Sequence, residues 1–594
     1  MTSEGSAAGA VDGGLDDPQE LEPEQGTLAL AAEGDTSDRA DWEAAAAAVL
    51  RKARRLADDD PDALVWERLT QRTLDGVDVT PLGTPEDLDG LVTSGRPQRT
   101  GEWDVRAHLR LAAGEEREAN ETLLVDLEGG VTSLWLTVPD GADLVRLLDG
   151  VLLDLAPVVL DAPTSPVPAA EALLALAADR GVTVAAGTNL GVTATAAEDD
   201  LVAVARLAHD HGLLGVVVDA TDAHDRGASD AQELGRSLQL GARVLRVLTG
   251  AGLDVDQAAS LVEHRLAATD EQLTTIAKLR AARRLWDRVL ELSGASEQTR
   301  VAGQRQHAVT SRPMMSRYDP YVNILRTTVA AFSAGVGGAE AVTVLPFDSP
   351  LGRPGTLGRR VACNTSHLLV SESHVARVAD PAGGAYAVER LTDDLAAAAW
   401  EVLGRLDAAA DPDAELDVLV SATAAERDQQ VATRARPITG LTEFPAVDEE
   451  LPQREPDGAW DGVRPWGHAF EALRDEPATG RVFLATLGPV ASHTARATFA
   501  TNLLTAGGIG VDAAGATDGV EALLAAYDGQ PVACLAGADP VYADWGAAAV
   551  TALREAGATR VVVAGRPRDL GVDDSCAVGV DALAFLTRTR EVLA

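Results

Sequence analysis

The chain has 594 residues, of which 46% are apolar, and a formal net charge of −42 from 50 basic and 92 acidic side chains. That length allows roughly two to four domains, and the apolar share excludes a chain disordered throughout. So large an acidic surplus excludes nucleic acid, whose phosphates it would repel, and no apolar run reaches the roughly eighteen residues of a membrane helix.

Residues 1–40, rich in Gly, Ala, Ser and acids, read as a disordered, mobile tail. With neither a basic start nor an apolar stretch, the opening is not expected to be a signal peptide. Residues 41–95 form an N-terminal helical arm, with Trp42, Val49, Leu50, Leu56 and Leu64 at helical spacing over 41–76. This stripe is too small to fold alone and calls for a larger body to pack on. Over 96–437 the apolar segments "TLLVDL", "SLWLTV", "PVVLDA", "VTVAAG", "LLGVVVDA" and "AVTVLPF" read as strands alternating with helical-period stretches. Such alternation predicts a parallel sheet, and the length suits a TIM (β/α)8 barrel with insertions. The longest helix is expected over 270–295, with Ile276, Leu279, Leu285 and Trp286 as core residues. Residues 438–477, rich in Pro and acids, read as a linker. Over 478–594, "RVFLATLG", "GIGVDAAG", "PVACLAG", "ATRVVVAG" and "VDALAFL" predict five strands of a smaller doubly wound domain of flavodoxin-like size. The fold class is α/β throughout.

Chemistry-bearing residues are few. "VVVDATDAHDRGASDAQELG" offers Asp219, Asp222, His224 and Asp225 at a strand end, where barrel active sites lie. The strand ends "LTVPDG", "LDAPTS" and "LPFDSP" add no histidine, so no metal site is expected. The acids then serve as helix caps facing water. Residues 301–328 read as one long loop carrying Arg305, His307, Arg312 and Arg317, which would hold an anion or pair with the surplus acids. "SAGVGGAE" (333–340) lacks the GxGxxG spacing and is a turn. Lys52 and Lys278 are the only lysines, neither placed for Schiff-base chemistry. Cys363, Cys534 and Cys576 form no framework and suit reduced thiols in a cytoplasmic protein. In "LATLGPVASHTARATFATNLLTAGGIGV" (484–511), His493 falls in a loop after a strand, where α/β domains put ligand contacts.

From about 212 to 398 the sequence closely resembles methylmalonyl-CoA mutase. The residues that carry the resemblance are "GASDAQELG", "IAKLRAARRLW", "RQHAVTSRPMMSRYDPYVNILRTT", "SAGVGGAEAVTVLPFD" and "VADPAGGAYAVERLTDDL". It extends more weakly over roughly 40–594. The resemblance implies a substrate-binding barrel followed by a cobalamin-binding-type domain. It also implies adenosylcobalamin chemistry that interconverts methylmalonyl-CoA and succinyl-CoA, the cofactor supplying the reactivity.

Three features of catalytic members are altered here. Their cobalt ligand is the histidine of a DxHxxG loop, which falls on "ASHTAR": Ala491, His493 and Arg496. The missing Asp would orient the imidazole, and Arg496 replaces a small residue. A Tyr-His pair that contacts the thioester becomes Thr221 and Asp222, and a carboxylate there would repel a developing oxyanion. A tyrosine near an AGRPWT-like stretch is absent from "GRPQRTGEWDVR" (95–106), and the glutamine after RxH is Val309, although His307 is retained. Together these losses resemble the small (beta) subunit of the bacterial heterodimeric enzyme, a noncatalytic partner that stabilises a large (alpha) subunit. The cofactor is then expected on the large subunit and not here, with no catalytic residue and His493 a vestigial, partly exposed loop residue. The alternatives are an active acyl-CoA mutase with altered contacts and, more distantly, a metal-dependent barrel hydrolase using Asp219, Asp222 and His224.

Overall fold

The computed structural model describes residues 36–91, 99–446, 449–566 and 569–594. The expected tail therefore lies, up to residue 35, outside the described residues. The chain divides into two units, one ending at Gln71 and one starting at Arg72. In the first, Asp38 caps helix α1 (Arg39–Lys52). Its carboxylate accepts from the N–H groups of Ala40 and Asp41, and the Asp41 side chain accepts from the Asp38 N–H. Such reciprocal capping satisfies donors that a helix start leaves open. Ala47 and Leu50 of α1 pack with Leu56 and Val65, and the Trp42 and Trp66 rings lie 4.6 Å apart.

The second unit opens with a closed barrel of eight parallel strands, as a TIM barrel has. They are β1 (Asp104–Arg110), β2 (Ser133–Thr137), β3 (Val158–Asp161), β4 (Asn189–Thr193), β5 (Leu214–Asp219), β6 (Val262–Ala268), β7 (Arg305–Thr310) and β8 (Ala341–Thr343), with β8 returning to β1. Helices surround it, among them α2 (Glu116–Glu128), α3 (Thr221–Arg226), α4 (Asp230–Gly250), α5 (Gln272–Leu292), α6 (Thr356–His367) and α7 (Tyr386–Ala408). The helix expected over 270–295 is α5, and its buried residues include Ile276, Leu279, Leu285 and Trp286.

Three expected elements move. "TLLVDL" is helical, because Ala119 and Leu123 of α2 are the buried pair, spaced i,i+4. "VTVAAG" is no strand: Gly181 ends the preceding helix in the left-handed region, and the strand begins at Asn189. There β4 bulges at Gly191 (φ +80°), where a Cβ would stand 1.7 Å from the Leu160 carbonyl oxygen, an approach that only glycine permits. Residues 305–310, expected within a loop, are β7.

The C-terminal part holds a parallel sheet of β9 (Arg481–Thr486), β10 (Gly510–Ala513), β11 (Val532–Ala536), β12 (Arg560–Ala564) and β13 (Asp574–Cys576) in the order β10-β9-β11-β12-β13. Its three central strands, β9, β11 and β12, are buried on both faces, as covered parallel strands are. Before it, inside the expected linker, stands helix α8 (His468–Asp475), whose Phe470 is fully buried. On one face Val482, Leu484, Val532, Cys534 and Val562 meet Leu503 and Leu504 of α9 (Val490–Ala506). On the other, Phe483, Ala533, Leu535, Val561 and Val563 meet Leu523 of α10 (Val520–Ala526) and Val550 and Leu553 of α11 (Ala547–Glu555). "VDALAFL", expected as a strand, starts helix α12 (Ala582–Leu593), which buries Ala582, Phe585 and Leu586 at helical spacing. The fifth strand is instead Asp574–Cys576.

Candidate functional site

Charged side chains point into the barrel, and their contacts run both between paired neighbouring strands, as Glu263–Arg305 and Asp219–Arg265 do, and across the lumen. Arg106 of β1 places Nη1 2.9 Å from Oε1 of Glu263 on β6, and Arg305 of β7 places Nε 3.1 Å from Oε2 of the same carboxylate. One turn higher, Arg265 of β6 stacks its guanidinium 3.8 Å from the centre of the Trp135 ring on β2 and donates from Nη1 to Asp219 at 2.7 Å. Trp135 in turn stacks on His108 (3.8 Å) and meets the edge of His307 (5.4 Å). Barrel interiors are usually filled by branched apolar residues; here an ionic and aromatic network fills the axis.

Within this network the titratable groups are bonded to one another and held by their neighbours' charges. Burial pushes the Glu263 carboxyl up, but Arg106 and Arg305 outweigh it and hold it below its usual range. For Asp219, burial is likewise outweighed by Arg265 and by the bonds from Thr221. Burial, then Arg106 and Arg265, holds the His307 imidazole well below its ordinary pKa and therefore neutral. Since Arg265 Nε can only donate, His307 Nδ1 accepts at 3.1 Å, and Nε2–H donates to Thr343 Oγ1 at 2.8 Å. Both ring nitrogens are engaged.

The other sequence candidates scatter. Thr221 is buried and gives its hydroxyl and N–H to Asp219, whereas the Asp222 side chain is 58% exposed and lies beside Arg226. His224 of α3 is buried, with Nε2 2.7 Å from Ser311 Oγ. Asp225 pairs with Arg312 at 3.0 Å, and Arg317 with Glu471 and Asp475 of α8. Among the described residues no three His, Cys, Asp or Glu side chains group to hold a metal ion. Lys278 is fully buried with Nζ 2.8 Å from both Asp230 and Glu233, and these anions hold its ammonium protonated. Sequence reasoning missed Arg106, Trp135, Glu263 and Arg265. The available signal was charge at alternate positions in "DVRAHLR", "VEHRLAA" and "RQHAVT", a strand period written in polar residues.

At the carboxyl edge of the C-terminal sheet, His493 is not a partly exposed loop residue. Pro489 stands at the N-cap of α9, so the loop ends there and His493 lies in the first turn, 7% exposed. Its Nδ1 donates to the Gly488 carbonyl at 3.1 Å. That carbonyl orients the ring as a carboxylate partner would. What closes the edge is Arg496. Its guanidinium lies 4.9 Å over the Tyr542 ring and bonds the Gly537 carbonyl and Asp539, just past the end of β11. A Cβ on Gly488 would meet Val541 at 3.3 Å. Ligands of open α/β sheets occupy this crevice where strand order reverses, between β9 and β11. With Arg496 and Val541 in it and the imidazole buried in a helix, these residues do not fit a cobalamin.

The methylmalonyl-CoA mutase family model matches residues 209–464. The methylmalonyl-CoA mutase small subunit of Streptomyces virginiae is 44% identical over 96% of this chain and 98% of its own length. The chain belongs to the methylmalonyl-CoA mutase family. A probable methylmalonyl-CoA mutase small subunit of Mycobacterium bovis is 40% identical over 90% of this chain and 95% of its own. The small subunit from Propionibacterium freudenreichii subsp. shermanii is 34% identical over 96% of each. Within the mutase family the chain thus aligns from end to end with proteins named small subunits. No helix among its described residues is long and apolar enough to cross a membrane.

Proposed function

We propose that this chain is the noncatalytic small subunit of an adenosylcobalamin-dependent methylmalonyl-CoA mutase, stabilising a catalytic large (alpha) subunit as a cytoplasmic heterodimer. One observation carries the reading: the chain's own side chains occupy both places where a catalytic relative needs room. The barrel axis holds Arg106, Glu263, Arg265, Trp135 and His307 in mutual contact. The edge of the C-terminal sheet holds Arg496 against Tyr542. The strand order β10-β9-β11-β12-β13 is the flavodoxin-like one, which supports reading 478–594 as a degenerate cobalamin-binding-type domain with His493 as a vestige. The cofactor, wherever bound, supplies the radical chemistry; in this reading it resides on the large subunit, and no residue of this chain is catalytic. The segments 41–95, 96–437 and 438–477 then serve as arm, barrel domain and connection.

The test is purification of the full chain with and without a candidate large subunit, recording mass, bound corrinoid and turnover of methylmalonyl-CoA. The expected result is a one-to-one complex that turns over, and a chain that alone binds no corrinoid and is inactive. Stoichiometric corrinoid on the isolated chain, or turnover by it, overturns the proposal.

A further inference from the structure

Between β1 and β8 the barrel wall is only briefly closed. The two strands pair at Asp104–Ala341 and Val105–Val342 and then part, leaving Arg106–Arg110 without β8 beside them. A cavity of about 550 Å³ occupies the gap, a size typical of small-molecule sites. It is lined by β1, α2, α6 and the loops 353–356 and 456–460, and also by Arg106, His108 and Thr343 of the barrel interior. Leu109, Ala119, Val131, Val344 and Ala362 make its walls apolar.

Its polar groups are unevenly satisfied. Four lining arginines have acids of their own: Arg106 with Glu263, Arg312 with Asp225, Arg353 with Glu115, and Arg359 with Asp126. Arg110 is the exception, with no hydrogen bond or ion pair to any described residue. Its side chain lies along Gly458, where a Cβ would meet its Cδ at 3.7 Å. Glu118 also lines the cavity, on its exposed rim. Two lining hydroxyls, Ser349 (3% exposed) and Ser366 (0%), are buried without a hydrogen-bond partner. A buried polar atom without a partner is costly, and two on one cavity mark a place where a ligand atom completes the bonding. The His108 imidazole at the cavity is held neutral by burial and then by Arg312, Arg265, Arg110 and Arg359, and Arg110 is the lining arginine left without an acid of its own.

We propose that this seam cavity binds a small organic carboxylate carried on an apolar body, its charge meeting Arg110 and its oxygens or their neighbours bonding Ser349 and Ser366. The site borders the filled axis, sharing Arg106 and His108 with it, and needs no catalysis by this chain.

The experiment is calorimetric titration of the full-length chain with straight-chain monocarboxylates from acetate to octanoate, and with the matching primary alcohols. Cys363, which lines the cavity, provides a local reporter, because the other two thiols are buried in the distant sheet. Its alkylation by iodoacetamide is followed by peptide mass. We expect one carboxylate per chain, slower alkylation of Cys363 on binding, and affinity at least roughly tenfold weaker for the alcohol and for Arg110→Gln, as loss of a charge-assisted bond implies. Ser366→Leu, which fills the cavity, should also abolish protection; Arg110, being exposed, gives a variant that folds whether or not that one does. No binding across the series, equal binding of acid and alcohol, or undiminished binding by Arg110→Gln overturns the proposal.

Discussion

Glu263 serves two cations at once, Arg106 from β1 and Arg305 from β7, with no exposure to water. Replacing it with alanine leaves two guanidinium groups facing each other in the lumen, and breaking a buried pair in this way costs about 3–5 kcal/mol. The midpoint of urea denaturation of full-length Glu263→Ala measures the loss, and a change under about 1 kcal/mol would refute the lumen network as a stabilising unit. Restoring the lost mutase residues is a different matter. Thr221→Tyr, Asp222→His and Val309→Gln together should yield no turnover of methylmalonyl-CoA with added adenosylcobalamin, because the side chain at 222 faces water and the axis stays filled. Activity from that triple variant alone would count against the reading of this barrel as noncatalytic. At this scale the sequence pointed to residues where a motif names them, as at Thr221, Val309 and His493, but it misplaced His493, which is buried in a helix. It was unreadable at Arg265 and Trp135, whose partners lie on other strands.

Helix α8 carries the clearest lesson about elements. Its surroundings, Pro-rich and acidic, have the composition of a tether, yet eight residues fold and anchor it. Phe470 is fully buried in the core of the C-terminal sheet. Glu471 accepts from the Ser316 hydroxyl at 3.1 Å and from the Arg317 N–H at 2.9 Å and Nε at 3.1 Å. Truncating Phe470 to alanine should cost about 3–5 kcal/mol and open residues 449–480 to limited proteolysis while the parent chain stays intact there. Equal cleavage rates would mean that the helix is not an anchor. The elements that pattern reading found are β2, β3, β5, β8, β9, β10, β11, β12 and α5, most of them with burial that is apolar throughout or along one helical face. The strands it missed are β1, β6 and β7, whose inward positions are charged, and β4, which it placed too early in the chain. β13 escaped because three residues are too few to show a period.

Four imidazoles, those of half-buried His108 and of buried His224, His264 and His307, are held neutral in the folded chain. His264 sits where β6 meets α4 and α5, with Nδ1 3.0 Å from Ser237 Oγ and its ring 4.6 Å from Trp286. Burial lowers its pKa to about 3, below the unfolded value of about 6.5. The stability tied to its neutrality is therefore complete above pH 6.5 and is lost as pH falls toward 3. His264→Gln should be less stable than the parent at pH 7.5, and the gap should narrow by about 2 kcal/mol at pH 5, since the glutamine takes up no proton. Denaturation curves for both proteins at the two pH values check this, and a constant gap would mean that the imidazole is not buried neutral. By itself the sequence determined the α/β class, the succession of a barrel and a smaller sheet, and the mutase family, because apolar period and family motifs are properties of short stretches of chain. Only the tertiary structure decided that the barrel has no open axis and the second sheet no open edge. Arg106 and Glu263 stand 157 residues apart and Arg496 and Asp539 stand 43 apart, and such charges can neutralise one another only after the strands between them have closed into place.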